Sequence, residues 1–332
     1  MTPTSEVVAV MKRRTFINLV ATLGSVSTAS VFAQGYPSRQ LRLLVPYTAG
    51  GGTDLAARIV MKKLSDKLGQ PIVVENKPGA GGALAYTELL RSKPDGYTLA
   101  TGSGITSLLS LLNSKLPFDA ATDLVQVAPL ASVPIVLVAN NKVPAQNMAE
   151  LISYVKQNPG MSYGTPGPAT PQHLAGVLLA SMAGLQMTHV GYRGTAPAVQ
   201  DVIGGHLPLA IIGLSTAIQF ARSGQLKVMG VGSAKRSELA PEIPTLAEAG
   251  VKGYDASYWY DICVAKGVPK AVVQRLHAEV TQALQDTEVR TALTAAGMEP
   301  MTVSQDEYQR MLQAERAKWD PIIRANHIQM GS

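Results

Sequence analysis

An apolar strand that runs into consecutive glycines and then into an amphipathic helix leaves a chain few folds to choose from. This sequence has one at 41–68, LRLLVPYTAGGGTDLAARIVMKKLSDKL. Leu41 to Val45 reads as the strand. In the following helix Ala57, Met61, Leu64 and Leu68 share one face by the 3.6-residue period, with Arg58, Lys62 and Asp66 on the other. Gly50, Gly51 and Gly52 let the backbone turn tightly and approach a ligand, and Thr53 or Asp54 is placed to cap the helix. The turn then offers free N–H groups at the positive end of a helix dipole. Such a turn suits an anion outside the carboxyl end of a strand, where open α/β sheets bind ligands. The plain alternative is an ordinary strand-to-helix turn. No G-x-x-x-x-G-K-[ST] is present, and no G-x-G-x-x-G follows the strand, so a carboxylate fits better than a phosphate chain.

The same design recurs. Ile72 to Glu75 is a strand leading into the breaker cluster Lys77 to Gly82 and a helix from Ala83 to Arg91. The strand Tyr97 to Thr101 ends in Gly102-Ser103-Gly104. The hydroxyls of Ser103, Thr106 and Ser107 can face the same crevice, although capping is the commoner task for such residues. Leu124 to Asn140 is an extended apolar run suited to carrying the chain from one domain to another. After it the alternation restarts, with a capping box at Asn147 and Glu150.

A second ligand turn is expected at Gly164 to Pro171, where Thr170 is placed as N-cap and Pro171 as first helical residue. Thr165, Gly167 and Thr170 supply backbone and hydroxyl donors, and His173 lies in the first turn of the helix 171–183. A third turn, Gly191 to Thr195, carries Arg193, whose planar fork matches a carboxylate; the bland alternative is a surface ion pair. Gly213 to Ala217 is an incomplete nucleophile elbow, with Ala217 where a Gly would close it, so Ser215 reads as a helix cap. A second extended segment, Ala256 to Val264, precedes terminal helices, the last of which opens with the capping box Ser304-x-x-Glu307. A domain entered at one crossing and left at the other makes the first domain discontinuous. The expected division is 36–125 plus 240–330 for domain 1 and 126–239 for domain 2.

Lys12, Arg13 and Arg14 precede an uncharged run ending in Val31-Phe32-Ala33, which reads as a signal peptide over 1–33, cleaved after Ala33, and hence a periplasmic protein. Arg13-Arg14 leaves both the general and the twin-arginine export routes open. The formal charge of +6 falls to +4 once 1–33 are removed, and no basic run alternates with aromatics, so nucleic acid is not an expected partner. Cys263 is the only cysteine and the histidines are scattered, so neither a metal nor another cofactor is expected.

With these stretches in view the chain resembles the Bug, or tripartite tricarboxylate transporter, receptors, which are extracytoplasmic solute-binding proteins. The resemblance rests on Tyr36-Pro37-Ser38, Val45-Pro46-Tyr47 with Gly50 to Asp54, Val74 to Gly82, Pro94 to Leu99, Gln172 to Gly176, Tyr192 to Ala198, Ser233 to Ser237 and Pro244 to Gly250. It implies two doubly wound α/β domains of the type II periplasmic binding-protein kind, hinged by extended crossings around a ligand cleft. The ligand is then a small mono- or dicarboxylate, aromatic acids included, delivered to a membrane permease or read by a sensor; a monomer is expected. The family's ligand loops map onto Tyr47, Thr48, Ala49, Gly50, Gly51, Thr53 and Asp54, and onto Thr165, Pro166, Gly167, Ala169 and Thr170. Two departures matter. Thr48-Ala49 replaces the usual prolines, and Asp261 stands where a Gly is expected, either lining the cleft or bonded to backbone at the hinge. An exported hydrolase of a small ester or amide is the alternative, weakened by the lack of an acid–base pair or complete nucleophile set.

Overall fold

A computed structural model of the chain describes residues 35–79 and 82–330. The expected signal peptide therefore lies outside the described residues, as do Ala80 and Gly81 of the glycine cluster. Residues 39–332 form one unit, and it contains two sheets.

The first sheet begins with β1 (Leu41–Val45), α1 (Gly52–Leu68), β2 (Ile72–Asn76), α2 (Ala83–Arg91) and β3 (Thr98–Ser103). β1 pairs in parallel with both β2 and β3. Its Leu41, Leu43, Leu44 and Val45 are fully buried, each side chain contributing roughly 1.5–3 kcal/mol by leaving water. Beyond a 3-10 turn (Thr106–Leu108) and the short helices α3 (Leu109–Leu112) and α4 (Ala120–Asp123) comes β4 (Leu124–Ser132). β4 pairs along its length with β10 (Trp259–Ala265), which is antiparallel to β3. The order is β11-β4-β10-β3-β1-β2, with β11 being Glu299–Pro300.

The second sheet holds β5 (Ile135–Ala139), β6 (Met161–Thr165), β7 (Met187–Gly191), β8 (Leu209–Gly213) and β9 (Lys227–Val231), in the order β7-β6-β8-β5-β9. Every residue of β5 is buried, as expected of a strand covered on both faces. Its helices are α5 (Met148–Gln157), α6 (Pro171–Ala183), α7 (Thr195–Gly204) and α8 (Leu214–Arg222). The caps expected from sequence form: Asn147 accepts from the Glu150 N–H and Thr170 from the His173 N–H. Ser215 does not cap α8, which starts from Gly213 without a side-chain cap.

The extended run 124–140 is two strands in different sheets. The chain changes sheet at Val133-Pro134, so the expected 125–126 division falls inside β4. It returns through 232–258. There Leu246, Val251, Tyr254 and Ala256 are buried in the cluster that includes Leu174 and Ala175 of α6, beyond the expected 239–240 division. The two crossings run side by side, with Val133 N–H donating to Tyr258 O at 2.8 Å and Gly232 N–H to Ile135 O at 2.7 Å.

The terminal helices are α9 (Lys270–Leu284), α10 (Thr287–Ala295) and α11 (Gln305–Ala325), the last capped by Ser304 as expected. α11 reaches both halves of the molecule. Tyr308 and Leu312 pack with Trp259 of the first sheet. Trp319 and Ile323 join the buried cluster of Leu137, Tyr163 and Leu174 on the second.

Candidate functional site

A cleft of ≈ 1710 Å3 is lined by residues from both sheets, among them Tyr47, Ser103 and Ile105 from the first, Pro168, Ala169 and Thr170 from the second, and Tyr258 from a crossing. The first expected ligand turn contributes only Tyr47 to it, and the second contributes Pro168, Ala169, Thr170 and Pro171. They are built differently.

In the first turn Gly50 has φ +82, a conformation suited to glycine. Gly51 does not need to be glycine for its backbone, because its φ is −74 and a Cβ there would meet only Thr48 O at 3.6 Å. The constrained position is Gly52, where a Cβ would lie 2.5 Å from the Tyr260 hydroxyl. Thr48, Ala49, Gly50 and Gly51 are exposed, as is Tyr47 at 40%. Neither Thr53 nor Asp54 caps α1: its N-cap is Gly51, with no side-chain bond. The N–H groups of Gly52, Thr53 and Asp54 therefore have neither an intrahelical acceptor nor a side-chain cap.

Asp54 is an organiser of this turn. Its buried carboxylate accepts from Gly50 N–H at 2.9 Å, Arg58 Nε at 3.0 Å and Asn76 Nδ2 at 2.9 Å. Burial works to raise its pKa, but these bonds together outweigh that and hold it below the usual value. Thr53 is buried, and the Tyr260 phenol interacts electrostatically with it and with Tyr258, whose own phenol interacts with Ser103. The two tyrosine rings meet edge to face with centroids 5.3 Å apart. Desolvation raises both phenols. These hydroxyls stay protonated at neutral pH and can donate. Sequence reasoning missed Tyr258 and Tyr260, whose only signal was their two-residue spacing on an extended segment.

In the second turn most donors are already used. Thr165 is fully buried, accepting from Gly167 N–H at 3.3 Å and lying 2.7 Å from His189 Nε2. Thr170 donates to Gly167 O and accepts from His173 N–H. Ala169, at φ +54, donates its N–H to His173 Nδ1 at 3.0 Å. The ring of His173 stacks on His189 with centroids 3.7 Å apart. Desolvation lowers His173 to about 4, helped by its neighbour, and desolvation also lowers His189. The pair is thus neutral at pH 7 and braces the loop, with the loop's Pro168, Ala169 and Thr170 forming the wall of the cleft. Pro166 accepts from Gly194 N–H through its carbonyl.

The remaining expected residues fall elsewhere. Thr106 is buried and accepts from Ser103 N–H at 2.7 Å, which makes it part of the turn's scaffold. Arg193 is exposed and does not line the cleft. Asp261 is fully buried, so it neither lines the cleft nor bonds to backbone in the way expected. Its Oδ2 accepts from the Tyr308 hydroxyl, its Oδ1 has no partner, and desolvation raises the carboxyl to about 7 against the pull of Tyr308. Ser215 packs on the backbone of Gly297, where a Cβ would lie 2.1 Å from its own. Among the described residues no group of three or more His, Cys, Asp or Glu could hold a metal, and no helix is long and apolar enough to cross a membrane.

Two α/β sheets joined by paired crossings, with a cleft lined from both, define a solute-binding receptor fold. The model of the tripartite tricarboxylate transporter family receptor matches residues 56–328, and the chain belongs to that family. Protein BugT of Bordetella pertussis is 33% identical over 309 residues, covering 92% of this chain and 94% of its own. Two solved structures are similar over their whole length. An R. palustris protein solved with adipate is 32% identical at TM-score 0.76, covering 89% of this chain and 100% of its own. MatC of Rhodopseudomonas palustris, solved with bound malate, is 30% identical at TM-score 0.71, covering 87% and 100%. The family consists of receptors, so the hydrolase alternative is set aside.

Proposed function

We propose that this chain captures a small organic carboxylate in the cleft between its sheets and hands it to the membrane permease of a tripartite transporter, or presents it to a sensor. The observation that carries the reading is the uncapped start of α1. The N–H groups of Gly52 to Asp54 carry the positive end of the helix dipole next to Tyr47 and Tyr260, and no side chain competes for them. Adipate and malate in the similar structures support a carboxylate as the ligand class.

Two lobes move about the crossings in this reading, one made of 39–132 with 259–330 and the other of 135–256. Export to the periplasm follows from the basic, then uncharged, stretch over 1–33, with cleavage after Ala33, and the receptor acts as a monomer. A thermal-shift screen against organic acids tests the core of the proposal. A true ligand at 100 times its Kd should stabilise the protein by about 2.7 kcal/mol. A panel that includes adipate and malate and shifts nothing would overturn it.

A further inference from the structure

Beside the crossings, away from the cleft, side chains tie the two lobes together. Glu299 of β11 accepts from the Ser237 hydroxyl at 2.5 Å and from Glu238 N–H at 2.8 Å. Ser237 is 2% exposed, and its oxygen accepts in turn from Leu239 N–H at 3.2 Å, which holds the hydroxyl toward the carboxylate. Leu239, Ala240 and Ile243 pack in the cluster of Val136 and Val231, so Ser237 belongs to the second lobe. Glu299 and Pro300 pair with Ser132 and Ala131 of β4, so the carboxylate belongs to the first. Next to this tie Gly297, at φ +74, lies against Ser215, and a Cβ on it would be 2.1 Å from that of Ser215.

The sheet orders put this contact and the cleft on opposite sides of the pivot. In the first sheet β4 and β10, which carry the crossings, separate β11 from β3 and β1, the strands that end near Ser103 and Tyr47. In the second, β5 separates β9, which precedes Ser237, from β6, which leads into the 165–171 turn. The faces of the second sheet agree. Val136 packs with Leu214 and Ala240 on one face, and Leu137 with Leu174 and Ala175 of α6 on the other. None of Ser215, Ser237, Gly297 and Glu299 lines the cleft. A rotation about the crossings that narrows the cleft therefore draws Glu299 away from Ser237 and Glu238, and breaks two hydrogen bonds to a carboxylate.

We propose that Glu299 and Ser237 form a latch that holds the empty receptor open, so that closing the lobes on a ligand must first release it. The latch rests on the two-lobe reading of the function and adds the contact that sets the resting position. Spin labels at Lys115→Cys, on the rim of the first lobe, and Arg193→Cys, beside the 165–171 turn of the second, report the distance across the mouth. Both residues are exposed, while the native Cys263 is buried. Pulsed electron paramagnetic resonance is measured on the full chain without added acid. Glu299→Ala is expected to raise the ratio of short to long distances about tenfold, equivalent to about 1.4 kcal/mol. Gly297→Asn, a residue that tolerates positive φ, drives a wedge against Ser215 and should shift the ratio the same way. Ser215→Gly added to that wedge should restore the parent distances. Removing a bond and adding bulk act alike only where the contact opposes closure. Unchanged or longer distances in a folded Glu299→Ala would overturn the latch. Circular dichroism checks the fold, and if Glu299→Ala misfolds, a wedge that leaves the distances unmoved overturns the latch instead. The acid screen on the parent does not involve this contact, so a failed latch leaves the carboxylate reading standing, and a failed screen leaves the distances to judge the latch.

Discussion

Asp261 faces Gly102 across the antiparallel pair of β10 and β3, and its carboxyl occupies the room a side chain at Gly102 would need: a Cβ there would lie 2.3 Å from Oδ1. Gly102→Ala should therefore destabilise the protein by about 1–3 kcal/mol, the usual cost of overpacking. In Gly102→Ala with Asp261→Gly the two changes should compensate in part, with a coupling of about 0.5–3 kcal/mol. Urea denaturation of the parent, both single variants and the pair measures this, and strict additivity would show that the two residues do not share the space.

The same carboxyl has a pH signature. Burial raises Asp261 to about 7, against an ordinary value of 3.8, so between those values the folded state holds a proton that the unfolded state has released. Its contribution to stability is complete below the unfolded value and is lost as pH rises through about 7, amounting to about 4 kcal/mol at most. Asp261→Asn removes this term. The variant should gain on the parent as pH is raised from 4 to 7.5, by denaturation at each pH; a constant difference would contradict it.

A Cβ on Gly52 would lie 2.5 Å from the Tyr260 hydroxyl, so Gly52→Ala forces the two apart at the start of α1, where the proposed carboxylate would bind. Removing the hydroxyl in Tyr260→Phe should restore most of the affinity lost in Gly52→Ala. Gly51→Ala should bind nearly as the parent does, because its backbone angles suit any residue. Calorimetry with a ligand from the acid screen compares these variants, and a larger loss for Gly51→Ala than for Gly52→Ala would contradict the geometry.

Thr170 is bound as a helix cap, so Thr170→Ala should register in stability more than in binding. The expected loss of stability is about 1 kcal/mol. Affinity should stay within about threefold, since no hydrogen bond to the ligand is removed. Thermal unfolding and titration on the same sample separate the two, and a large loss of affinity at unchanged melting temperature would place the hydroxyl on the ligand.

Closure about the paired crossings should bring the lobes together when ligand binds. Solution scattering should show a smaller radius of gyration with ligand than without; an unchanged radius would count against a hinge at Val133-Pro134 and Tyr258.

Much of this molecule was readable from local chemistry. Hydrophobic period placed the strands around Leu43 and Val136 and the helices carrying Met61 and Leu312, and short-range side-chain bonds marked the starts at Asn147, Thr170 and Ser304. The strand–glycine–helix stretch and the family's other motifs pointed to the two turns that border the cleft. Such signals act over a few residues, so the sequence alone determined them.

What the tertiary structure decided was which groups remained free. Gly167 and Ala169 looked like ligand donors until Thr165 and His173 were brought against them, and Asp54 looked like a ligand or a cap until Arg58 and Asn76 closed on it. Asp261 is buried because Gly102, far away in the chain, leaves it space, and Tyr258 lines the cleft while Tyr260 lies against Gly52 because the crossing runs on into a strand paired with Ser103. Whether a donor is spent or a side chain buried depends on partners distant in sequence, and only the folded chain brings those partners into contact.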